Sequence, residues 1–254
     1  MNKKIIIANW KLNGSIQLLQ NLLKPISDFV KINHISSKVI IAPPSVYLNQ
    51  AYNIVLNTNV IIGAQNVDVN SFGAFTGEIS VNMLKDINIR YVIVGHSERR
   101  LHHQENNTLI AKKFEVVKHA KLIPILCIGE TDKDHNLYTT QRVCQKQIDI
   151  IFDLLGETAF CNTIIAYEPI WAIGSKKIPS LNYIQDMCCF IKDYILKQQN
   201  INKKSFFIQY GGSVNENNIQ QLCKIPDVDG FLIGSVSLSL NKFLKILKII
   251  SIDK

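Results

Sequence analysis

Residues 91–130 read YVIVGHSERRLHHQENNTLIAKKFEVVKHAKLIPILCIGE. The stretch opens on an apolar, β-branched run, Tyr91–Gly95, and closes on a second, Leu122–Ile128. Between them, Asn106–His119 spaces its apolar residues as a helix does. The two runs are almost uninterrupted by polar residues. That pattern suits strands buried on both faces, as in parallel sheets. Pro124 is awkward in a central strand but tolerable near its start.

Working outward, the same unit recurs. Six further apolar runs occur at Lys4–Ala8, Val39–Ala42, Val60–Ala64, Thr163–Tyr167, Phe206–Tyr210 and Gly230–Ile233, making eight in all. Helical spacing recurs at Ile16–Val30, Thr140–Leu155, Asn182–Gln198 and Val236–Ile250, with Ser15, Ser45, Ser180 and Asn215 placed to cap helix starts. Strand then helix, eight times over, predicts an α/β fold: a closed (β/α)8 TIM barrel. No composition break or linker divides the chain, so a single domain over 1–254 is expected. An open doubly wound sheet is the alternative. It would usually show a G-x-G-x-x-G turn after an early strand, and none is present.

Of the 254 residues, 47% are hydrophobic and 19% charged, which is ample for a packed core and excludes a disordered chain. No apolar run approaches the roughly 18–20 residues that span a bilayer. The opening MNKKIIIANWKL has too short an apolar stretch and no cleavage site for a signal peptide. A mature, soluble, intracellular protein is expected, in the cytoplasm and without a membrane partner. The six cysteines form no CxxC pair or zinc pattern and are expected as free, mostly buried thiols. The net charge of +8 comes from 28 Lys and Arg with no run longer than two. No nucleic-acid motif accompanies them, so no nucleic acid is expected as a partner. The bias favours an anionic substrate.

Nine of the twelve glycines fall at or just after the end of a run, among them Gly95, Gly129, Gly174, Gly211, Gly212 and Gly234. Polar residues gather there too: Asn9, Lys11, Gln65, His96, Glu98, Glu130, Glu168 and Ser213. Barrel active sites lie on this rim. Glu168 ends a strand beside Pro169, where a carboxylate is expensive unless solvated, paired or functional. Its functional reading is a general base working beside a carbonyl, and its bland one a salt-bridged rim residue. Gly211-Gly212-Ser213 and Gly234-Ser235 read as a phosphate cradle, or as simple turns. The stretch 66–78 is long for a loop and carries Phe72 and Phe75, which suggests a partner surface.

In order, the run endings give NWK (9–11), GAQNVDVNSFGAFTGEIS (63–80), VIVGHSERR (92–100), CIGE (127–130), AYEPIWAIGSKK (166–177), QYGGSV (209–214) and DGFLIGS (229–235). In that order and spacing the chain closely resembles the triosephosphate isomerase family over nearly its whole length. The resemblance implies interconversion of dihydroxyacetone phosphate and D-glyceraldehyde 3-phosphate through an enediolate, in glycolysis and gluconeogenesis. It implies Glu168 as base, His96 and Lys11 as groups that polarise the substrate oxygens, and Asn9 and Glu98 as supports. It assigns phosphate to Gly174, Ser213, Gly234 and Ser235, with Pro169–Lys177 as a lid. It implies a homodimer through loop 66–78, with Thr76 completing the partner's site. No metal or organic cofactor is implied. Two positions depart from the family: Lys176 stands where a second lid glycine is usual, and Ser235 where Gly-Gly is usual. The rival expectations are another phosphate-binding barrel enzyme and a binding protein on an inactive barrel, its basic surface holding nucleic acid.

Overall fold

The computed structural model describes residues 4–131, 136–172, 179–199 and 205–252. Eight strands form a closed parallel barrel in chain order, β1 to β8. They are β1 (Ile5–Asn9), β2 (Lys38–Ala42), β3 (Val60–Ala64), β4 (Tyr91–Val94), β5 (Ile123–Ile128), β6 (Thr163–Tyr167), β7 (Phe206–Tyr210) and β8 (Gly230–Ile233). The seam closes with Ile5 opposite Gly230.

Each run splits between two cores by the period of a strand. Ile5, Ile7, Ile40, Ala42, Ile93, Ile125, Cys127, Ile164, Ala166 and Leu232 pack together in the barrel interior. Their neighbours Ile6, Ala8, Val39, Ile41, Val92, Val94, Leu126 and Ile165 join the larger cluster beneath the helices. Both faces are dry, which is why the runs carry no polar alternation. Pro124 is the second residue of β5 and pairs with Val92.

The helices are α1 (Ile16–Leu18), α2 (Lys24–Ile32), α3 (Leu48–Val55), α4 (Val81–Asp86), α5 (Ser97–His102), α6 (Asn107–His119), α7 (Leu137–Leu155), α8 (Leu181–Gln199), α9 (Ile219–Leu222) and α10 (Leu240–Ile252). The expected helix at 16–30 has a π turn at Leu19–Leu23 between α1 and α2. The one expected from Val236 begins as a 3-10 turn, Ser235–Leu238, before α10. The short helices α3, α4 and α9 offered too little periodicity to read. Ser15 and Ser180 accept hydrogen bonds from the Leu18 and Tyr183 N–H groups, as caps should. Asn215 caps the turn before α9 by accepting from Asn217 and Asn218. Ser45 does not cap: a 3-10 turn starts there behind Pro44, and the Tyr47 N–H goes to the Pro44 carbonyl.

The six cysteines are free, with Cys127, Cys144, Cys188 and Cys223 buried. Among the described residues no helix is long and apolar enough to cross a membrane.

Candidate active site at the rim of the barrel

The inward alternation of the strands carries to the last residue of β1 and one step past the ends of β6, β7 and β8. Asn9 lies two residues beyond Ile7, Glu168 two beyond Ala166, Gly211 two beyond Gln209 and Gly234 two beyond Leu232. These residues meet Lys11, His96, Ser213 and Ser235 around a cavity of about 230 Å³.

Glu168 is only 3% exposed. Glycine on both flanking strands makes its place. A Cβ on Gly129 would lie 1.9 Å from the Glu168 carbonyl oxygen, and one on Gly211 would lie 2.8 Å from its Cγ. Gly211, expected in the phosphate cradle, therefore has a second and tighter task. Among the described residues, no lysine or arginine lies at ion-pair distance from Glu168, and the one basic side chain at such a distance is His96. Its Oε1 is 3.4 Å from His96 Nε2, and the Ser97 N–H points at Oε2 from 3.4 Å. Both contacts are longer than a strong hydrogen bond, so the carboxylate is free to exchange them for a substrate.

His96 is the cap of α5, and its Nδ1 accepts from the Glu98 N–H at 3.3 Å. An accepting Nδ1 leaves the imidazole proton on Nε2, the nitrogen that faces Glu168 and the cavity.

Lys11 has a left-handed backbone, with φ of 53°. That turn is held from three sides. The Asn9 side chain accepts from the Lys11 N–H at 3.0 Å. Gln65 Nε2 donates to the Lys11 carbonyl at 2.9 Å and to that of Ala42 at 2.8 Å. Lys11 Nζ donates to Glu98 Oε1 at 2.6 Å. The expected supports, Asn9 and Glu98, thus sit on either end of Lys11.

The expected phosphate cradle lies beyond β7 and β8. Asn218 Nδ2 holds the Ser213 carbonyl at 2.8 Å, and its Oδ1 accepts from Asn215 N–H at 2.8 Å. Ser235 opens the 3-10 turn after β8 and lines the cavity. The Ser213 hydroxyl donates to the Ala172 carbonyl at 2.6 Å, linking this side to the segment after Pro169.

That segment begins from an anchor the sequence did not reveal. Glu130 is fully buried and accepts from Trp171 Nε1 at 2.6 Å and from the Tyr167 hydroxyl at 3.2 Å. Burial, and then the Glu130 carboxylate, push the Tyr167 hydroxyl well above its usual pKa. The only sequence signal was an acidic residue two positions past a strand end. Gly174 and Lys176 lie outside the described residues. Thr76 is exposed and does not line this cavity; Phe72 and Phe75, on the same loop, are 87% and 47% exposed.

A model of the triosephosphate isomerase family matches residues 4–250. The chain belongs to the triosephosphate isomerase family. It is 56% identical over 249 residues to the triosephosphate isomerase of Buchnera aphidicola subsp. Baizongia pistaciae, a match covering 97% of this chain and 99% of that one. It is 50% identical to that of Buchnera aphidicola subsp. Cinara cedri, over 99% of this chain and all of the relative. The family interconverts dihydroxyacetone phosphate and glyceraldehyde 3-phosphate in glycolysis. For a triosephosphate isomerase the chemistry is compact. One proton moves between adjacent carbons, another between two oxygens, and a phosphate is held throughout.

Proposed function

We propose that the cavity carries this isomerisation with Glu168 as the base, His96 and Lys11 as electrophiles, and Ser213, Gly234, Ser235 and Gly174 around the phosphate. The single observation that carries the reading is the pairing of a buried, weakly held carboxylate with a His96 Nε2 3.4 Å away. In the ketose-to-aldose direction, Glu168 takes a proton from C1. The C–H electron pair forms the C1–C2 double bond, and the carbonyl π pair moves onto the C2 oxygen. Positive charge at Lys11 and the Nε2–H of His96 offset that developing charge. His96 then gives its proton to the C2 oxygen and takes one from the C1 oxygen. Glu168 returns its proton to C2. Every group ends as it began, so the cycle calls for no redox partner. Asn9 and Glu98 act by holding Lys11.

The loop 66–78 supports a homodimer in which Thr76 faces the partner's cavity. Large apolar side chains standing off a surface are the usual mark of such a contact. A cytoplasmic location fits the six free thiols.

The test is isomerisation in deuterium oxide, followed by proton NMR. Proton transfer through a carboxylate open to exchange predicts solvent deuterium at the carbon that receives the proton. Isomerisation in which the migrating hydrogen never exchanges with solvent would contradict the reading.

A further inference from the structure

Arg100 belongs to α5, yet its guanidinium turns back beneath the rim. Its Nε donates to the Gly95 carbonyl at 2.8 Å, its Nη2 to the Cys127 carbonyl at 3.0 Å, and its Nη1 to Asn107 Oδ1 at 2.8 Å. Each acceptor stands at a structurally sensitive place. Gly95 directly follows β4, just before His96, and its φ of +71° sets the turn that aims His96. Cys127 lies inside the barrel, and its thiol is pushed well above its usual value by burial and then by the neighbouring Glu168 carboxylate. Asn107 opens α6. One planar cation therefore ties the end of β4 to β5 and to α6, between the strand that carries His96 and the one that abuts Glu168. Burial lowers the guanidinium's own pKa while Cys127 and Glu168 draw it back up, which places the charge near both.

We infer that Arg100 is a positioning residue: by fastening the Gly95 and Cys127 carbonyls it fixes the distance between His96 Nε2 and Glu168 without touching the substrate. The inference rests on the base and electrophile roles given above. A lysine keeps the charge but lacks the fork, since only a guanidinium offers donors in fixed, divergent directions.

The experiment compares the unaltered protein with Arg100→Lys, Arg100→Ala and Glu168→Gln, at a temperature where far-ultraviolet circular dichroism shows each folded. The expected result for Arg100→Lys is a kcat about 10²-fold lower, because displacements of about 1 Å at a reacting group have that effect. KM stays within about twofold, because none of its hydrogen bonds reaches the loops after β7 and β8. Nitrogen-15 signals of the His96 ring shift in the same variant, and guanidinium ion added to Arg100→Ala recovers part of kcat. A purely structural role would lower the melting temperature and leave kcat of the folded protein and the His96 signals unchanged. That result, with Glu168→Gln inactive, overturns the inference. An active Glu168→Gln would instead overturn the base assignment. Should Arg100→Ala fail to fold, Arg100→Lys and the nitrogen-15 spectrum decide.

Discussion

Glu168, His96 and Lys11 were legible one residue at a time because each follows a strand run, and strand ends in a barrel converge. Their partners were less so. Glu130 and Arg100 bond to groups 41 and 27 positions away, Trp171 and the Cys127 carbonyl, and only the closed barrel brings them together. Lys11 is held by Asn9 at the end of β1 and Gln65 just past β3 through its backbone, and by Glu98 on α5 through its ammonium. Lys11→Met would keep much of the side chain's bulk and remove its charge. The expected loss is that of an oxyanion donor, about 3–4 kcal/mol in transition-state stabilisation. Steady-state kcat/KM for D-glyceraldehyde 3-phosphate measures it. A variant within about twofold of the parent would remove Lys11 from the electrophile role.

At the scale of elements, eight strands were visible because both faces of each are apolar; the ends of the runs agreed to within one residue. What stayed hidden was the use of strand ends as space. Gly129 on β5's end and Gly211 on β7's end flank Glu168 on either side. Gly211→Ala would bring a methyl group 2.8 Å from the Glu168 Cγ and force the carboxylate aside. The expected outcome is a folded barrel with kcat lowered by about 10²-fold. An unchanged kcat would show that the side chain has slack there.

A second device joins elements. Glu105, 4% exposed, takes Arg99 Nε and Lys113 Nζ at 2.6 Å each, and Lys113 reaches Asn66 at the base of the long loop. Burial works to raise the Glu105 pKa, but the hydrogen bonds and charges of Lys113 and Arg99 outweigh it and the value is lowered. A carboxyl held below its unfolded value stabilises the fold fully above that value, near 4.5, and stops doing so as pH falls through the lower folded one. Denaturant unfolding between neutral pH and pH about 3 should therefore fall more steeply for the parent than for Glu105→Gln. At neutral pH that variant should be less stable by about 3–5 kcal/mol, since Lys113 is left buried without its counter-charge. Parallel pH curves would contradict the lowered value.

The whole molecule carries an asymmetry that its own chain does not resolve. Leu12, Val46, Phe72 and Met83 are 97%, 81%, 87% and 57% exposed, and Phe75, on the same loop as Phe72, is 47% exposed. The proposed dimer would cover apolar side chains of this kind. Sedimentation is expected to give twice the chain mass, and Phe72→Glu to shift the protein toward monomer with activity that falls on dilution. A fully active monomer would contradict the shared site. The loop's length and its two phenylalanines are the part of this proposal that rests on the sequence. The exposure of Leu12, Val46 and Met83 was not legible there, because nothing in a single chain marks which apolar residues the fold leaves uncovered.

The most direct test of the central claim is the turnover of D-glyceraldehyde 3-phosphate by purified protein beside an identically purified Glu168→Gln. The two side chains are nearly the same size, so the exchange removes the proton acceptor and leaves the cavity. Fast turnover in the parent and its collapse in the variant is the expected result. Comparable turnover in both, with each shown to be folded, would mean that the proton is taken by another group and that the account of this site is wrong.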